Sequence, residues 1–195
     1  MGRKKALTER DIFDVTEEIL KEEGLQGVHF KKVADRLDVG RSTLYEYFEN
    51  KDDLLLAYMK RLMDDMNQKV ENIPASLPAN EKLYKLLLIL LEHTQLHQID
   101  RMIRDLQSSD KHAAMFYKEE LDVDLMRTYN LMKRWIEAAK EQGAWKQSID
   151  SGLLGDIIFH SILFPNREKM GVESMARQLF EIIENGMTNH DSSPS

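Results

Sequence analysis

Arg41, Ser42, Thr43, Tyr45 and Tyr47 put five hydrogen-bonding side chains into seven positions, with Lys31 upstream and Lys51 just downstream. These types suit nucleic acid. An arginine fork pairs bidentately with guanine, and a threonine can meet a thymine methyl or a phosphate. A tyrosine joins a packing ring to a hydroxyl within reach of phosphate, although half-buried aromatics in an ordinary core show the same spacing. A second candidate set is His93 and His97, four residues apart with Glu92 and Asp100 nearby. That spacing places two imidazoles on one helical face and suits zinc or nickel. No third ligand is fixed by the sequence, so the pair reads as surface or pocket histidines, and neither a metal nor another cofactor is expected. The chain has no cysteine, which excludes thiolate zinc sites, disulfides and thiol catalysis. It also carries no triad-like arrangement, phosphate loop or metal motif, so an all-helical enzyme has nothing in its favour.

The elements that must position these residues all read as helices. Thr8-Glu9-Arg10-Asp11 fits a helix start, with a hydroxyl placed to take an orphan N–H and acids at the positive end. Ile12, Val15, Thr16, Ile19 and Leu20 follow at helical spacing, and Gly24 supplies a left-handed stop, giving a helix over about 8–23. Phe30, Val33, Ala34 and Leu37 form a second short stripe, broken by Asp38-Val39-Gly40. Arg41 to Phe48 is expected to form a third helix with Leu44 and Phe48 inward. Asn50 is a natural N-cap for a fourth, which carries Leu54, Leu55, Ala57, Tyr58, Leu62 and Met66 to about Glu71. Beyond Pro74 and Pro78, helical segments are predicted near 80–97, 100–107, 111–142, 150–164 and 172–187, with no period-two pattern. Two short helices joined by a tight turn can lay the second in a DNA major groove, an arrangement that many helical hairpins share. Residues 30–48 fit that geometry, and their inward apolar positions leave Arg41, Ser42, Thr43, Tyr45 and Tyr47 pointing elsewhere.

The longer string adds specificity. Val33-Ala34, then Val39-Gly40-Arg41-Ser42-Thr43-Leu44-Tyr45-Glu46-Tyr47-Phe48-Glu49-Asn50-Lys51, then Leu54-Leu55, closely resembles the N-terminal signature of the tetracycline-repressor (TetR) family of bacterial regulators. The close resemblance covers about a quarter of the chain; the remainder matches in length and helical character. It implies an all-α fold, with an N-terminal three-helix helix-turn-helix DNA-binding domain over 1–55 and a connecting helix to about 71. A larger helical ligand-binding and dimerisation domain would occupy 72–195. The function implied is a homodimeric repressor on a palindromic double-stranded operator, released by a small-molecule inducer. A helical interaction protein without sequence-specific DNA binding is the alternative. Residue by residue, Thr43, Tyr45 and Tyr47 match DNA-contacting positions, and Lys51 matches a phosphate-binding lysine. Arg41 and Ser42 match variable specificity positions, and Lys31 a second-helix position that reaches a base or phosphate. His29 stands where the family has a Ser or Thr cap and is carried over as a contact through its ring nitrogen. Asp38 replaces the common turn glycine, and Gly40 the serine cap of the recognition helix. Glu46 faces DNA in the family pattern, as a solvated acid or an acceptor for cytosine N4.

A net charge of −7 argues against a domain-wide basic surface. DNA affinity must therefore rest on local clusters, Arg3-Lys4-Lys5 and Lys31, Lys32, Arg36, Arg41 and Lys51, with the acids of the first helix segregated elsewhere. The longest aliphatic run, Leu86 to Leu91, is far too short to span a bilayer. With no secretory pattern visible, no membrane association and a cytoplasmic location are expected. In the second half, the resemblance implies a ligand pocket and a dimer interface. Met115, Phe116, Tyr129, Met132 and Trp135 are the pocket candidates, with plain core as the alternative for such a Met and aromatic stripe. Leu153, Leu154, Ile157 and Ile158 share a helix face, and Met175, Leu179, Phe180 and Ile183 repeat at helical spacing on the last helix. Leu154, Ile157, Ile158, Met175, Leu179, Phe180 and Ile183 are taken as the interface, with each subunit's own core as the alternative.

Overall fold

The computed structural model describes residues 7–94, 119, 122–163 and 166–187. Among them lie eight α-helices: α1 (Glu9–Glu23), α2 (Phe30–Leu37), α3 (Arg41–Leu44), α4 (Lys51–Glu71), α5 (Ala79–Glu92), α6 (Asp122–Glu141), α7 (Ser151–His160) and α8 (Val172–Met187). The chain divides into two compact units, and the division falls within α4, between Arg61 and Leu62.

The first unit begins with a reciprocal cap. Thr8 Oγ1 accepts from the Asp11 N–H at 3.2 Å, and Asp11 Oδ2 accepts from the Thr8 N–H at 2.9 Å, satisfying two groups at the helix start. α1 buries Ile12, Phe13, Thr16, Ile19 and Leu20. The buried Thr16 hydroxyl donates to the Ile12 carbonyl at 2.8 Å and so is not left unsatisfied. Gly24 ends the helix at φ +69°, a conformation glycine adopts without steric cost. α2 buries Phe30, Val33 and Ala34 and closes at Asp38, which takes left-handed geometry at φ +51°. Asp and Asn are the non-glycine residues that best tolerate it. Phe13 is the hub of an aromatic cluster, with its ring centroid 5.7 Å from Phe48 and 6.0 Å from Tyr58. Asn50 Oδ1 accepts from the Asp53 N–H at 2.9 Å, the expected cap of α4.

The third helix is shorter than its sequence suggests. It stops at Leu44, and Tyr45, Glu46 and Tyr47 form a turn. Tight bonds carry the chain onward: Glu46 N–H to the Thr43 carbonyl at 3.3 Å and Tyr47 N–H to Leu44 at 3.1 Å. Phe48 closes the segment with its N–H on the Leu44 carbonyl at 3.0 Å and its ring buried beside Phe13.

In the second unit, α5 packs against α6 and α8, and α7 packs on α6. Leu83, Leu86, Leu87, Met132, Ile136, Trp145, Leu154, Ile158, Ala176 and Phe180 form its interior. Phe180 meets Tyr84 edge-on at 5.4 Å and Trp145 at 6.3 Å. Two residues past the end of α6, Gly143 turns the chain at φ +73°. The buried Lys140 ammonium donates to the Ile149 carbonyl and to Ser151 Oγ, which fixes the turn leading into α7. Asp150 Oδ1 then caps α7 through the Leu153 N–H at 2.8 Å.

Candidate nucleic-acid interface

The head presents its candidate residues around α3. Lys31, Arg41, Ser42 and His29 are exposed, Thr43, Tyr47 and Lys51 are partly exposed, and Tyr45 stands 51% exposed. Leu44 is fully buried on the opposite side, so one apolar anchor turns the rest of the short helix outward. Arg41 Nη2 donates to the Tyr45 hydroxyl at 3.0 Å, and its guanidinium carbon lies 5.8 Å from the Tyr45 ring centroid. The Tyr45 ring in turn rests on Phe30, centroids 4.9 Å apart.

Tyr47 has a partner that no sequence spacing reveals. Its hydroxyl donates to the Leu7 carbonyl at 2.6 Å, across forty positions of sequence. It therefore ties the entry of α1 to the turn after α3, and a phosphate contact from this hydroxyl would have to share it. Neither His29, before α2, nor Gly40, before α3, makes a side-chain capping bond. Those two departures from the family pattern leave both helix starts without a side-chain acceptor.

Electrostatics trim the basic face further. The acids of α1 are not segregated from the cations of α2: Lys32 pairs with Glu23, and Arg36 pairs with Glu22 and reaches Glu18 at 3.6 Å. The hydrogen bond from Arg36 holds the Glu22 carboxyl below its ordinary value. Lys32 and Arg36 are thereby neutralised, and among the described residues the positive charge at the candidate surface narrows to Lys31, Arg41 and Lys51; Arg3, Lys4 and Lys5 lie outside them. Arg61, near the first unit's end of α4, pairs with Asp14 at 3.3 Å and lies over the Phe13 ring.

The second unit sorts its candidates differently. Met115 and Phe116 lie outside the described residues. Met132 is fully buried, Trp135 is partly exposed, and the Tyr129 hydroxyl donates to Asp156 at 2.8 Å and lies 3.3 Å from the Gly152 carbonyl. The acceptor Asp156 raises the Tyr129 pKa, because ionisation would set two anions together. Of the proposed interface set, Leu154, Ile158 and Phe180 belong to the interior of their own unit. Ile157 is 46% exposed, and Met175, Leu179 and Ile183 are partly exposed. The outward apolar face also includes Leu153 at 57% and Ile182 at 70% exposure. Met175, Leu179 and Ile182 line one shallow groove with Met170 and Gln178. On α8 the inward residues run Ala176, Phe180, Met187, one position out of phase with the outward set.

His93 is buried, with Nδ1 2.7 Å from the Ile89 carbonyl and Nε2 2.9 Å from Asp65 Oδ2. Both ring nitrogens thus face protein oxygens and neither is turned toward an open coordination site. Among the described residues no group of three His, Asp or Glu side chains could hold a metal, and His97 lies outside them. No helix among the described residues is long and apolar enough to cross a membrane.

Comparison with known proteins places this head in a family. Residues 12–58 match the model of bacterial regulatory proteins of the tetR family. Over 186 residues the chain is 23% identical to the fatty acid metabolism regulator protein of Bacillus subtilis, covering 91% of this chain and 94% of that one. The fold is similar to that of the ketosteroid transcriptional regulator KstR2 of Mycobacterium tuberculosis, with a TM-score of 0.75 at 14% identity over 95% of this chain and 98% of that one. It is also similar to a putative transcriptional regulator from Saccharomonospora viridis, solved in complex with choline, with a TM-score of 0.71 at 17% identity over 93% and 98% of the two chains. The matched segment holds the turn and the donor-bearing short helix described above: residues 12–58 form an N-terminal head of the tetR family of bacterial regulatory proteins, followed by a helical second unit whose fold is similar to that of these solved regulators.

Proposed function

We propose that this regulator is a homodimeric repressor that holds a palindromic operator and is released when a small molecule binds its second unit. The observation that carries the reading is the donor face of Lys31, Arg41, Ser42 and Lys51, left outward by a head that neutralises Lys32 and Arg36. Two such heads related by a two-fold axis read half-sites about 34 Å apart, one turn of the duplex.

Pairing is supported by the apolar residues Leu153, Ile157, Met175, Leu179 and Ile182 on the outward sides of α7 and α8. Two helices from each copy make a self-complementary four-helix contact. For the ligand, the full-length relative named for fatty acid metabolism favours an acyl-chain compound, and the choline complex of a structural neighbour gives the contrasting polar cation.

Selection of genomic fragments with purified protein tests the DNA reading. Enrichment of a palindrome bound at about nanomolar Kd, weakening steeply with salt, is the expected result. Recovery of no sequence would leave a helical interaction protein in its place. With the palindrome in hand, release by a long-chain fatty acid or its thioester, but not by choline, supports the ligand class; the reverse result replaces it.

A further inference from the structure

Arg41 differs from the other cations of the head in the kind of partner that holds it. Arg36 and Lys32 are held by carboxylates, which cancel their charge as they fix them. Arg41 is held by a neutral phenol. Its Nη2 donates to the Tyr45 hydroxyl at 3.0 Å, and its guanidinium lies 5.8 Å from the ring centroid. A guanidinium has five donors. One is engaged by Tyr45 and the full charge remains, so the rest of the fork is free for an acceptor pair outside the protein.

Tyr45 is itself braced. Its ring packs 4.9 Å from Phe30, and Phe30 is a buried residue at the start of α2. The backbone bearing Tyr45 is held by the bonds from Glu46 to Thr43 and from Phe48 to Leu44, at 3.3 and 3.0 Å. A continuous line of contacts therefore runs from the core through Phe30 and Tyr45 to the Arg41 fork. An unrestrained arginine loses much rotamer freedom when it docks, and a braced one has lost part of it already.

We propose that Tyr45 is a positioning residue that presents Arg41 to one guanine in each operator half-site, so that this tyrosine sets base preference through Arg41 rather than by touching DNA. The proposal rests on the DNA-binding reading above. Bidentate pairing of an arginine fork with guanine O6 and N7 is the contact that such a presented guanidinium makes best.

The test uses the operator recovered by selection, with each guanine replaced in turn by 7-deazaguanine, which lacks the N7 acceptor. For the unaltered protein, one guanine per half-site should show a penalty of about tenfold in Kd. Arg41→Ala should remove that penalty and leave the others. Tyr45→Ala should remove most of it without changing the slope of log K against log salt, since no phosphate contact is lost. Tyr45→Phe keeps the ring on Phe30 and loses only the bond to Arg41, so its penalty should be intermediate, about threefold on the same scale. A full penalty in both Tyr45 variants overturns the proposal. So does a Tyr45→Ala protein that binds every sequence more weakly with a shallower salt slope, the signature of a direct phosphate contact. An operator with no sensitive guanine defeats this proposal alone, whereas failure to select any operator defeats the DNA-binding reading beneath it.

Discussion

The two units turn opposite kinds of surface outward. In the head, the large apolar side chains are mostly gathered inside, around Phe13, Leu44, Phe48 and Tyr58, and the outward side of α3 carries a guanidinium, hydroxyls and a partly exposed aromatic. In the second unit, Leu153, Ile157 and Ile182 stand in solvent on helices whose other faces are already packed. A wet, charged partner fits the first surface, because ionic contacts and water bridges need no dry patch. A protein partner fits the second, because exposed aliphatic side chains gain only by being covered. The two surfaces thus differ in chemistry: one suits a charged, hydrated partner and the other an apolar one.

Breaking the head's interior should have the largest effect. Phe13→Ala removes the centre of the aromatic cluster and should cost about 3–5 kcal/mol, read by denaturant unfolding and accompanied by loss of operator binding. A cost under about 1 kcal/mol would mean that the cluster adds little beyond surface packing. Next comes the apolar face of the second unit. Leu153→Asp with Ile182→Asp places two charges on residues the single subunit leaves exposed, so the folded chain should persist as a monomer by sedimentation. A desolvated charge pair of this kind should shift dimerisation by more than about 2 kcal/mol. A dimer that survives unchanged moves the self-recognition surface elsewhere.

Smaller effects sharpen the contrast. Lys51→Ala should weaken binding evenly across sequences and lower the salt slope by about 1, as expected for one phosphate contact. A changed base preference would instead make Lys51 a reader. His29→Ser supplies the missing N-cap of α2 and should stabilise the head by about 0.5–1 kcal/mol. At Gly40 the backbone is extended at φ −70°, and an added Cβ meets nothing nearer than 3.4 Å. Gly40→Ser should therefore be accepted and gain only a few tenths of a kcal/mol, read as a small rise in Tm.

Much of the head is legible in sequence because its polar positions are as constrained as its apolar ones. Thr8, Gly24, Asp38 and Asn50 each mark a helix boundary by a local bond or a local backbone angle, and spacing alone reveals such features. The contacts that spacing misses are distant ones: Tyr47 with Leu7, Arg36 with Glu22, and the Phe30 ring under Tyr45. The early end of α3 is missed as well, since the change to tighter turn bonds at Glu46 and Tyr47 leaves the apolar spacing of Leu44 and Phe48 intact. In the second unit the difficulty is one of phase. Apolar residues occupy both sides of α7 and α8, so helical spacing cannot say which stripe is interior, and Leu154, Ile158 and Phe180 are indistinguishable by type from Leu153, Ile157 and Leu179. The signal that separates them is the contact with α5 and α6, which exists only once the chain is folded.

The bond between the Tyr47 hydroxyl and the Leu7 carbonyl also has a practical side. It anchors the chain just ahead of α1 to the turn that follows α3, so a change at either end is felt at the other. A Tyr47→Phe protein therefore loosens the entry of α1 together with the turn, and its DNA affinity is to be read beside the unfolding midpoint of the head.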